Sequence, residues 1–75
     1  MTDSISVLAN RANHAYNNRP GFSACTVEGE QPPILAFDFT SAEAAEEFKF
    51  ERELQSPTMR LEIPHDRPTT VLQFC

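Results

Sequence analysis

Two cysteines and two glycines stand among the 75 residues, and each shortage closes off a class of protein. Cys25 and Cys75 have no framework spacing, so a disulfide-stapled secreted scaffold is excluded and free thiols in a cytoplasmic setting are expected. With Gly21 and Gly29 the only glycines, no glycine-rich phosphate loop can be built. No apolar run approaches the ~20 residues of a membrane span. The opening MTDSISVLANR lacks the basic start and long apolar stretch of a signal peptide. Cationic side chains are also scarce, six against eleven carboxylates, for a net charge of −5.

Ligand and nucleophile sets are equally thin. His14, His65, Cys25 and Cys75 each stand alone, whereas structural zinc sites use close ligand pairs. A Cys25 nucleophile needs a base within hydrogen-bond reach, and nothing in the spacing supplies one. No cofactor, no metal and no catalysis are expected. A chain of this length buries about 60% of its unfolded surface, enough for one small core.

What is present gathers in the middle. Leu35, Phe37 and Phe39 alternate with Ile34, Ala36 and Asp38, the period of a strand with one strongly apolar face. Thr40 and Glu43 then have the spacing of a capping box, which predicts a helix starting at Ser41. Ser41, Ala44, Ala45 and Phe48 share one side of it at 100° per residue. Ser56-Pro57 supplies a stop near Gln55.

On either side the pattern is simpler. One of Thr2, Asp3 and Ser4 caps an N-terminal helix with Ile5, Leu8, Ala9, Ala12 and Tyr16 on one face. Asn17 to Gly21 ends it by turn chemistry. Phe22–Glu28 reads as a strand forming a hairpin with Ile34–Phe39, and the Pro32-Pro33 pair keeps the connection out of the ladder. Thr58–Ile63 alternates as a half-buried strand, residues 64 to 68 form a proline-bracketed turn, and Thr69–Phe74 closes the chain. The expectation is a single α+β domain, α-β-β-α-β-β, with one antiparallel four-stranded sheet and two helices packed on one face.

Charge is concentrated in residues 28–53, where eight acids face Lys49 and Arg52 for a net −6. Such a chain is not expected to seek nucleic acid directly; basic protein partners are. Glu43, Glu47 and Glu51 form an i, i+4 ladder with Glu46 and Glu53 beside it. Like charges so placed cost a helix about 0.2–0.5 kcal/mol per pair. Helix propensity and the dipole account for Glu43, Glu46 and Glu47. Glu51 and Glu53 lie toward the wrong end of the dipole and are left without a local reason. Asp38 reads as a carboxylate on the exposed face of the sheet.

The run ILAFDFTSAEAAEEF, a strand feeding a Glu-rich helix, together with the size and net charge, resembles the small acidic inhibitors that phages encode against bacterial defence complexes, the anti-CRISPR proteins. The resemblance spans residues 34–54. Those proteins share no motif, so no residue role carries over from it. It implies binding to a protein subunit of an effector complex, often at its nucleic-acid-binding surface, without catalysis and in the host cytoplasm. The expected partner-binding residues, read from the chain itself, are Glu43, Glu46, Glu47, Glu51, Glu53 and Asp38. The alternative is a module that self-associates as a homodimer through a sheet edge or through the helix face carrying Phe50 and Leu54.

Overall fold

A computed structural model describes residues 4–74. Helix α1 (Ile5–Tyr16) is followed by strands β1 (Phe22–Glu30) and β2 (Pro33–Phe39), helix α2 (Ala42–Gln55), and strands β3 (Arg60–Glu62) and β4 (Thr70–Phe74). The strands form one antiparallel sheet in the order β1-β2-β4-β3. Helix α1 lies over β1 and β2, and α2 over β2, β4 and β3. This is the α+β arrangement expected from the sequence.

Alternation in the strands decides what the helices cover, because neighbouring side chains leave a strand on opposite faces. Leu35, Phe37 and Phe39 of β2 join Cys25, Leu61 and Val71 in the core, together with Ala9 of α1 and Ala45 and Phe48 of α2. Ile5, Leu8, Ala12 and Tyr16 pack against that cluster, as the apolar stripe of α1 predicts. Ser4 caps α1, its hydroxyl accepting from the Val7 N–H at 3.4 Å; Thr2 and Asp3 lie outside the described residues.

The start of α2 differs from expectation. The cap is Ser41, whose hydroxyl accepts from the Ala44 N–H at 3.1 Å. Thr40 cannot form the expected box because its own N–H donates to the Gly21 carbonyl at 2.8 Å. That bond holds Thr40 against the preceding loop, so the helix begins one residue later. Gly21 itself sits at φ +83, and a Cβ there would lie 2.8 Å from the Ala44 Cβ. Only glycine allows both the left-handed backbone and the close approach of loop to helix.

The strand bounds also shift. Strand β1 runs on to Glu30 and β2 starts at Pro33, so the hairpin turns on Gln31 and Pro32, and Pro33 takes the first strand position, where no N–H is needed. Strand β3 is confined to three residues; Met59 is held in a turn by its N–H donating to the Ser56 carbonyl at 3.0 Å.

Candidate partner-docking face on the second helix

The geometry of α2 separates its residues sharply. Phe48 is 1% exposed and Ala45 fully buried. At 100° per residue, Glu43, Glu46, Glu47, Phe50, Glu53 and Leu54 fall within an arc of about 120° centred on Phe50, on the side away from Phe48. All six are exposed. Phe50 is 63% and Leu54 67% exposed, and Val7 of α1 is the only other exposed large hydrophobic among the described residues. The outward face of α2 is therefore not simply acidic. It carries two apolar side chains framed by carboxylates.

The six acids named from the sequence do not form one patch. Glu51 is paired with Arg19, a residue of the α1–β1 loop whose guanidinium also lies 5.3 Å over the Phe48 ring. Glu53 is paired with Lys49 at 3.1 Å. The two acids that helix energetics left unexplained thus have internal partners, a correction to their assignment as free docking charges. Among the described residues Glu43, Glu46 and Glu47 make no ion pair, and all three are exposed. Asp38 sits on the face of the sheet away from the helices, as strand alternation predicts, where its carboxylate accepts from the Thr70 hydroxyl at 2.7 Å; the correction is to its grouping with the helix acids. Glu28, clamped by Arg67 at 2.6 Å, is bound to the β3–β4 loop instead of joining the helix acids.

The Arg19–Glu51 contact ties the α1–β1 loop to α2. The hydrogen bond from Arg19 holds the Glu51 carboxyl below the ordinary 4.5, desolvation opposing it and the Arg19 charge adding to it. A carboxylate depressed in the folded state stabilises the fold above its unfolded pKa and ceases to do so as pH falls through its folded value. Wild type should therefore melt above Glu51→Gln at neutral pH. The gap should close as pH falls through and below the usual carboxylate range. Melting temperatures of both proteins against pH test this, and a gap that persists undiminished into acid would remove the latch.

One polar residue that periodicity passed over controls the sheet edge. Asn13 of α1 donates from Nδ2 to the Cys25 carbonyl at 2.7 Å and to the Ala9 carbonyl at 3.0 Å, and accepts from the Cys25 N–H at 2.8 Å. Its amide replaces a neighbouring strand at the middle of edge strand β1. Such a cover blocks pairing with a second chain at that point. The other edge, β3, is three residues long and flanks Leu61 with Arg60 and Glu62, again poor ground for strand addition. The only sequence signal for Asn13 was its place four residues after Ala9, beside the apolar stripe. Cys25 is buried beneath this contact, while His14 and His65 are exposed. Among the described residues no group of three or more His, Cys, Asp or Glu is placed to hold a metal ion, and no helix is long and apolar enough to cross a membrane.

Fold and surface together define a small α+β domain with a two-helix layer on one sheet face and a mixed acidic and apolar helix surface turned outward. No protein-family model matches the chain, and no curated protein or solved structure matches it.

Proposed function

We propose that this chain is a non-enzymatic binding protein that docks the outward face of α2 on a basic surface of a protein partner. The observation that carries this reading is the exposure of Phe50 and Leu54 on the same arc as the unpaired Glu43, Glu46 and Glu47. Interfaces concentrate their affinity in a few apolar anchors ringed by polar groups. Complementary charge around the anchors speeds encounter and sets orientation. The chosen partner thus has a shallow apolar site bordered by lysine or arginine.

The resemblance extends the proposal to an anti-CRISPR-like inhibitor that covers a nucleic-acid-binding surface of an effector subunit. Coverage by docking fits better than imitation of a duplex. Glu43 and Glu47 are about 6 Å apart along the helix, against one charge per ~1.7 Å in DNA, and Asp38 and Glu28 are not on this face.

The test uses the triple variant Glu43→Lys, Glu46→Lys, Glu47→Lys, which spares the Arg19–Glu51 and Lys49–Glu53 pairs. Wild type should retain from host lysate a basic protein that the variant does not, and should compete with duplex DNA for it. Binding should also weaken steeply as salt rises from about 0.1 M, where exposed charges are screened within ~10 Å. Capture that is indifferent to the three reversals overturns the proposal. So does a homodimer that light scattering shows to persist at high salt and that Phe50→Ala disrupts.

A further inference from the structure

The two helices share one sheet face without closing over it. Between α1 and α2 lies a groove of about 250 Å³ with Leu8, Ala12, Leu35 and Phe37 among its walls and Arg52 and Gln73 among its polar lining. Ligand sites have this character, apolar walls with a small number of convergent polar groups.

Arg52 is the unusual member. Arg19, Lys49, Arg60 and Arg67 each hold a glutamate. Among the described residues Arg52 holds none. Its Nη2 donates to Gln73 Oε1 at 3.1 Å and contacts Met59 Sδ at 3.5 Å, both neutral, and sulfur is a weak acceptor. Its Nε is buried with no hydrogen-bond partner. Arg52 as a whole is half-buried, a buried guanidinium nitrogen ordinarily finds an acceptor, and the planar fork matches carboxylate and phosphate oxygens bidentately. The apolar walls select an amphipathic acid, whose carboxylate carries less charge to desolvate than a phosphate. Arg11 also lines the groove.

We propose that the groove between α1 and α2 binds a small amphipathic carboxylate, its acid on Arg52 and its apolar body against Leu8, Ala12, Leu35 and Phe37. The site lies on a different surface from the outward face of α2 and stands independently of the docking proposal.

The probe is 1-naphthoate, titrated into the isotope-labelled full chain and followed by amide NMR shifts. Saturable shifts at Leu8, Ala12, Leu35 and Arg52 are expected, with a Kd of about 1 mM or tighter for a fragment of this size. Arg52→Met keeps the apolar stem and should weaken binding about tenfold or more. The neutral isostere 1-naphthylmethanol should bind wild type about tenfold more weakly as well, a comparison that needs no variant to fold. The triple glutamate variant should bind the probe as wild type does. Absence of saturable shifts, shifts confined to residues outside the groove, or equal affinity for acid and alcohol each overturn the proposal.

Discussion

Phe48→Ala is expected to cost about 3–5 kcal/mol, the usual range for deleting a fully buried phenylalanine. The ring centroid lies 4.9 Å from Phe37, 5.0 Å from Phe39 and 5.2 Å from Tyr16, so one side chain joins α2 to the sheet and to the end of α1. Arg19, stacked on the same ring, loses part of its seat as well. Small domains hold about 0.05–0.15 kcal/mol per residue, and the loss therefore takes a large share of the total. Urea denaturation should show a much lower midpoint or no folded baseline at all. A midpoint close to wild type would mean that the core does not converge on Phe48.

Two residues further on, the same side chain should behave in the opposite way. Phe50→Ala combined with Leu54→Ala removes the two most exposed large apolar groups of the described chain. Exposed positions away from special contacts change stability by less than about 0.5 kcal/mol, so the urea midpoint should barely move. Partner affinity should fall by about 2 kcal/mol or more, the threshold of an interface hot spot, or about thirtyfold. Calorimetric titration of the captured partner measures it. If affinity survives loss of both side chains while the glutamate reversals abolish it, the docking is electrostatic alone and the anchor role is wrong.

The contrast between Phe48 and Phe50 shows where sequence reading succeeds. Spacing from Ala44 and Ala45 puts Phe48 in the core and Phe50 off that stripe, because helical rotation is a local property of the backbone. The order of elements, the apolar stripe of α1 and the apolar face of β2 were legible for the same reason. The fates of the carboxylates were not. Glu51 and Glu53 are both helix glutamates of the same ladder region, yet one reaches Arg19 from another element and the other reaches Lys49 on its own. Only the second pairing could be read from i, i+4 spacing.

Periodicity by itself determined the α+β order and which faces turn inward, and composition along the chain determined the concentration of negative charge on residues 28–53. Tertiary structure alone decided that α2 is capped by Ser41, since the Thr40 N–H is taken by Gly21. It alone decided that Asn13 covers the edge of β1, that Asp38 accepts from Thr70 of β4, and that Arg52 is left facing neutral acceptors beside a groove. Each of these depends on a contact between segments distant along the chain. Local propensity carries no information about such contacts, because they exist only once the layers have packed.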